Sequence, residues 1–192
     1  MRIADEMALK NFIPDGVCLA CDGCCRFSKQ KTIWAPFFAF EEIVGLTEKD
    51  IVPSCLFTHP DTAKESGAQI DLISGAHAYL CPCLECASNN CKIYPDRPLD
   101  CRLYPFLLAR RGPEIFCAVD ERCPYAQQVK GTDKIRQYVQ YLVDFFNTEE
   151  FFTFIKNNPG FVQDYGDDAI YLRSLPALSS MLYGTSASFL RS

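Results

Sequence analysis

The sequence predicts an α+β fold: an irregular, cysteine-rich domain of short strands and helices over residues 1–125, then an α-helical C-terminal extension over residues 126–192 packed on it. Three observations predict it. All twelve cysteines lie at or before Cys123. Most of the prolines accompany them and cut that part into short pieces. Beyond it, apolar and aromatic residues recur at steps of three and four, the spacing of a buried helical stripe.

Taken in order, Thr32 to Ala35 reads as a short strand, and Phe37 to Leu46 as a helix with Pro36 in its first turn. Thr47-Glu48-Lys49-Asp50 reads as a fresh helix start. Residues 59–69 are polar and loop-like, and Ile70 to Ile73 and His77 to Leu80 are candidate strands around Gly75. Leu107 to Ala109 and Ile115 to Val119 should pair across Arg110-Arg111-Gly112-Pro113 as a hairpin. In the tail, Ile135, Tyr138, Val139, Leu142, Phe145 and Phe146 form the stripe of one helix. Thr148 caps a second, whose first turn carries Glu149 and Glu150 and which Pro159-Gly160 stops. A third helix is expected from Asp167-Asp168, bent or ended by Pro176. These aromatic faces read as core before they read as a docking surface for a partner.

A hydrophobic content of 48% with 22% charged residues is that of a globular chain, and 192 residues suffice to bury a core without help from a metal. The net charge of −5 gives no general attraction for nucleic acid, and no Lys/Arg run supplies a local one. No stretch approaches 18 uninterrupted apolar residues, so no membrane span is expected. The opening MRIADEMALKNFIPDG spreads Asp5, Glu6, Lys10 and Asp15 where a secretory leader would be apolar. A cytoplasmic location follows as the expectation. In that reducing compartment, closely spaced cysteines point to metal or redox chemistry rather than to a disulfide framework, which is the competing reading.

Cys18-Leu-Ala-Cys21-Asp-Gly-Cys24-Cys25 places four thiols in eight residues. A C-x-x-C step lets two sulfurs converge on one ion while intervening backbone amides turn inward to them. The doubled step is the spacing that opens bacterial ferredoxin runs and favours an iron–sulfur cluster, 4Fe–4S first. Zinc in a tetrahedral thiolate site fits the same spacing. Adjacent cysteines tend to point apart, so Cys24 and Cys25 are expected to serve the site unequally: one a ligand, the other a structural thiol or a ligand to a second centre. Cys81-Pro82 and Cys123-Pro124 are the two Cys-Pro steps. A second block runs from Cys91 through Ile93, Tyr94, Arg97 and Pro98 to Cys101, Arg102, Tyr104, Pro105 and Phe106.

Together these motifs resemble the YkgJ-like CxxCxxCC cysteine-cluster family, described as zinc- or iron-chelating and often as containing an iron–sulfur cluster. The matching positions are Cys18, Cys21, Cys24, Cys25, Cys81-Pro82, Leu84, Cys91, Ile93, Tyr94, Arg97, Pro98, Cys101, Arg102, Tyr104, Pro105 and Phe106. The resemblance spans roughly residues 17–125 and leaves the tail uncovered. It implies a metal-binding domain with Cys18, Cys21, Cys24, Cys25, Cys81, Cys91 and Cys101 as ligands. Cys117 and Cys123 lie where members keep later cysteines and are expected as ligands too. Cys55, Cys83 and Cys86 fall outside the pattern.

Read from the residues alone, Arg97 and Arg102 flank Cys101 and can offset the negative charge of metal-bound thiolates. Their ordinary alternative is an ion pair with Asp96 or Asp100. Pro98 suits the first turn of a short helix carrying Cys101, and Tyr94 and Tyr104 are placed to shield the centre. His77 is a weak further ligand candidate and His59 sits in the polar loop; each reads first as structural or exposed. No phosphate loop, dinucleotide fingerprint, nucleophile elbow or H-E-x-x-H motif is present. Three readings follow: a metal-cluster protein with a structural or electron-transfer role toward a redox or other protein partner; an enzyme using the cluster in redox or protein-lysine methyl-transfer chemistry, since flagellin lysine methylases carry a related cluster; and a zinc-stabilised interaction module.

Overall fold

A computed structural model describes residues 9–21, 23–53, 56–57 and 66–184. The chain forms two compact units, residues 1–103 and 104–192, and is of mixed α+β character with short strands and several helices. The units part between Leu103 and Tyr104 rather than near residue 125, because the hairpin that follows Tyr104 takes its third strand from the tail.

The first unit is built from two-residue strands. Helix α1 (Asp15–Leu19) leads to β1 (Arg26–Phe27), β2 (Phe37–Phe38) and helix α2 (Phe40–Glu48). Strands β3 (Ala68–Gln69), β4 (Ile73–Ser74), β5 (Tyr79–Leu80), β6 (Leu84–Glu85) and β7 (Asn90–Cys91) follow, then helix α3 (Leu99–Leu103). All pairings are antiparallel: β1-β5-β4 in one sheet, β2-β3 and β6-β7 in two others. Phe38, Ile43, Leu46, Phe57, Ile70, Leu72 and Ile93 share a core with Cys81 and Cys83. Gly67 lies so close to β2 that an added Cβ would fall on the Phe38 carbonyl oxygen and 2.5 Å from the Phe37 ring. Gly67→Ala is therefore expected to destabilise this unit by about 1–3 kcal/mol, read by denaturant unfolding.

Four local expectations are corrected here. Thr32 to Ala35 is a turn, closed by Ala35 N–H donating to Thr32 O at 3.1 Å. The strand is instead Phe37–Phe38, paired to residues 32 and 30 positions away, and the helix starts at Phe40. Thr47 ends that helix rather than beginning another, its hydroxyl bonding back to Ile43 O at 2.9 Å before Asp50 takes a φ of 56°. Of the two strands expected around Gly75, only Ile73–Ser74 and Tyr79–Leu80 pair, while Ile70 bridges Phe57. His59 and Cys55 lie outside the described residues.

In the second unit, β8 (Phe106–Arg111) and β9 (Glu114–Val119) form the expected hairpin around Gly112-Pro113. Gly112, at φ 59°, takes the left-handed corner a two-residue connection needs. Helices α4 (Pro124–Gln128), α5 (Asp133–Phe146) and α6 (Glu149–Asn157) come next. Helix α5 buries Val139, Leu142 and Phe146 from the expected stripe. Thr148 caps α6, its hydroxyl accepting from Phe151 N–H at 3.3 Å. Phe146, Phe151, Phe154 and Phe161 then contact one another ring to ring in sequence, tilted, stacked and edge-to-face, with centroids 4.8, 5.9 and 5.2 Å apart.

The expected third helix differs. Gly166–Asp168 is a single 3₁₀ turn, and Ile170–Ser174 is a strand, β10, on the free edge of β9. Helix α7 (Pro176–Tyr183) starts at the proline. Proline cannot donate inside a helix but suits its first position, so Pro176 opens the last helix instead of bending it. The tail is therefore not wholly helical. Among the described residues no helix is long and apolar enough to cross a membrane.

Candidate metal centre

The Cys-rich segments of the first unit meet through backbone bonds. Cys81 N–H donates to Cys25 O at 3.0 Å, fastening the Cys81-Pro82 turn to the end of the first motif. Leu84 N–H closes that turn onto Cys81 O at 2.9 Å, and Lys92 N–H reaches Cys83 O at 2.8 Å. Leu84 faces Cys91 in the β6–β7 ladder. Cys101 rides on α3, as Pro98 and the block predicted.

Thiols from three stretches of chain consequently feel one another's charge. Cys24 acts on Cys18, Cys81, Cys91 and Cys101, and Cys81 acts on Cys91 and Cys101. Burial pushes up the Cys18, Cys91 and Cys101 thiols, most strongly Cys101. Cys24 and Cys81 are raised first by the side chains of Cys25 and Cys83 respectively, which favour their protonated, donating forms, and then by burial. Cys24 is exposed at the surface of the first unit.

The adjacent pair corrects an expectation. Cys24 and Cys25 do not point wholly apart: the Cys25 side chain is the first cause that raises the Cys24 thiol. They occupy the corner of a turn in which Arg26 N–H faces Gly23 O at 3.4 Å, so the alternation of an extended chain does not apply. Cys21 lies on the same loop, with its N–H on Cys18 O at 3.1 Å and its Sγ over Gly23.

Several donors aim at these sulfurs. Cys83 N–H donates to the Cys81 sulfur and Ile93 N–H to the Cys91 sulfur, both two residues along. Arg97 Nη1 lies 3.6 Å from Cys18 Sγ. Its guanidinium sits 3.7 Å over the Tyr94 ring, while Nε donates to Tyr94 O at 3.1 Å. The Tyr94 hydroxyl donates to Asp15 Oδ1 at 2.8 Å and lies within reach of Cys18. Burial, then Asp15, pushes Tyr94 up.

Arg102 acts on Glu42, lowering a carboxyl that burial raises. Asp96 pairs with Lys49 at 3.2 Å, and Asp100 accepts from Phe37 N–H at 2.9 Å, so neither takes Arg97. Tyr104 belongs to the second unit, where its hydroxyl donates to the buried Asp120 at 3.1 Å; Arg122 also holds that carboxylate at 2.9 Å. Cys117 and Cys123 are buried in the second unit too, and burial alone pushes Cys117 to about 12. His77 and Cys86 are exposed.

Sequence reasoning missed Glu42. Its carboxylate accepts from Ala39 N–H at 2.8 Å at the start of α2 and from Leu99 N–H at 2.7 Å at the start of α3, the helix that carries Cys101. A glutamate three residues into a helix is a legible capping signal; its second bond, to a residue 57 positions away, is not.

Among the described residues no three His, Cys, Asp or Glu side chains are drawn into a ligating group. The thiols that influence one another are all sulfur donors, a chemistry that suits thiophilic metals and not hard cations. Compared with family models, curated proteins and solved structures, the chain matches none.

Proposed function

We propose that this chain is a metal-binding protein of the CxxCxxCC cysteine-cluster kind, holding an iron–sulfur cluster, or a related cysteine-ligated iron or zinc centre, in a structural or electron-transfer role. The observation that carries this reading is the aim of the donors. A neutral thiol is a weak acceptor, yet Cys81 and Cys91 each receive a backbone N–H, and Cys18 has a guanidinium beside it. Such donors stabilise thiolate, the form that binds metal. Burial meanwhile keeps the thiols protonated, so metal binding there displaces their protons to solvent.

Cys18, Cys24, Cys81, Cys91 and Cys101 would hold the centre, with Cys21 and Cys25 on the same loop. A bound cluster would supply one-electron chemistry. The chain's own residues fix the sulfurs: the Cys81–Leu84 turn, α3 under Cys101, and Arg97 held flat on Tyr94 beside Cys18. In the electron-transfer version the partner is a redox protein. Anaerobic purification followed by metal analysis, acid-labile sulfide assay and a visible spectrum tests the proposal. A brown protein with iron and sulfide, bleaching reversibly on reduction, is expected. Colourless protein with tightly held zinc would replace the cluster by a zinc centre, and protein that takes up neither metal would overturn the reading.

Arg97 gives a milder test. Arg97→Gln removes a charge-assisted donor from Cys18 while leaving every sulfur in place. It is expected to weaken metal retention roughly 10–100-fold in chelator competition, with far-UV circular dichroism unchanged.

A further inference from the structure

Helix α1 carries Cys18 but has almost nothing to rest on. None of its residues, Asp15–Leu19, is buried, and no side chain caps its start. Val17 is 43% exposed, and a Cβ added at Gly16 would meet open space. A helix this short has no stability of its own in water and ordinarily persists through an apolar face packed on its neighbours. The chain just before it is anchored, with Leu9 and Phe12 buried, and Pro14 then enters the helix in an extended conformation.

Among the described residues, the hydrogen-bonding side chains that reach α1 from distant chain are Tyr94 and Arg97. The Tyr94 hydroxyl donates to Asp15 Oδ1 at 2.8 Å, at the first residue of the helix, and Arg97 Nη1 lies 3.6 Å from Cys18 Sγ, three residues on. The two act as one piece, since the guanidinium lies 3.7 Å over the Tyr94 ring and Nε donates to Tyr94 O at 3.1 Å. That piece is firmly seated: Ile93 before it is buried, and Asp96 N–H closes its 3₁₀ turn on Ile93 O at 2.8 Å.

We infer that α1 is a flap hinged after Phe12 and latched by the Tyr94–Asp15 bond, and that metal ions enter and leave the proposed centre when the flap opens and takes Cys18 with it. The inference rests on the metal-binding reading above and adds to it a route for the ion and a positioning role for Asp15, a residue outside the cysteine motifs. The rival account is a fixed surface turn, held by the chain on either side, in which the Tyr94–Asp15 bond is one more exposed polar contact. Under that account loss of one hydroxyl leaves α1 where it is.

Hydrogen–deuterium exchange of the full chain, kept reduced and free of metal, separates the two. Tyr94→Phe removes the hydroxyl and keeps the ring under Arg97. The Val17 and Cys18 amides, which both donate to Pro14 O, should then exchange about three- to tenfold faster, the opening that one lost hydrogen bond of modest net strength allows. The β8–β9 hairpin and the melting temperature should not change. Asp15→Ala should quicken exchange too, and adding Tyr94→Phe to it should have no further effect, because the two residues share one bond. In chain loaded with Zn²⁺, release to a chelator should quicken in Tyr94→Phe by a similar factor. Unaltered exchange in Tyr94→Phe, α1 amides that already exchange as in an unprotected chain, or Zn²⁺ release that does not follow exchange would each overturn the inference while leaving the centre standing. Failure of the unchanged protein to bind Zn²⁺ or iron would instead sink the metal-binding reading, and the flap's role with it.

Discussion

Cys18→Ser and Cys101→Ser, made separately, are each expected to lose the metal that the unchanged protein retains through anaerobic gel filtration. The loss should exceed the roughly 10–100-fold expected of Arg97→Gln, because a ligand is removed rather than a group that orients one. The two cysteines report on distant parts of the chain. Cys18 lies in short helix α1, beside Arg97 and Tyr94, whereas Cys101 rides on α3. If both variants keep full metal by elemental analysis, the ligand assignment fails in the first unit as a whole. The parallel variant Cys117→Ser distinguishes a wider site. Cys117 has no exposed surface, and burial alone accounts for its raised thiol. Retention of metal there, with loss at Cys18 and Cys101, would confine the centre to residues 1–103.

The contrast between these residues shows what the sequence could convey. Local signals were legible wherever the physics is local: the Gly112-Pro113 hairpin, the stripe Val139, Leu142 and Phe146, and the Thr148 cap need only a few neighbouring residues. Strands β2 and β10 were not, because Phe37–Phe38 and Ile170–Ser174 owe their state to pairing with Ala68–Gln69 and β9. An isolated Phe-Phe before a helix carries no such information. The cysteine motifs named most of the thiols that influence one another, since their spacing is itself a local turn property. They did not reveal the corner at Gly23–Arg26 that sets Cys24 and Cys25 in one turn. Nor did proximity in sequence show that Tyr104 bonds Asp120 or that Arg102 acts on Glu42.

Glu42 carries the second large expectation, for stability rather than ligation. Its two carboxylate oxygens each satisfy an orphan helix N-terminal N–H, Ala39 at 2.8 Å and Leu99 at 2.7 Å. Glu42→Ala leaves both donors unpaired and is expected to destabilise the first unit by roughly 2–4 kcal/mol. Burial raises Glu42 to about 7 and the neighbouring Asp100 to about 6, against ordinary values of 4.5 and 3.8. A carboxyl whose pKa is higher folded than unfolded binds its proton more tightly in the native state, so unfolding releases that proton above the ordinary value. Their favourable contribution is therefore full below the ordinary values and is lost as pH rises through about 6 for Asp100 and about 7 for Glu42. Metal-free protein should accordingly melt at higher temperature at pH 5.5 than at pH 8, the opposite of the trend for salt-bridged carboxylates. Glu42→Gln should flatten the upper part of that profile, because it removes the titrating group while keeping one acceptor. A profile in Glu42→Gln that still falls between pH 6 and pH 8 as steeply as the unchanged protein's would show that some other group, not this clasp between α2 and α3, sets the pH dependence.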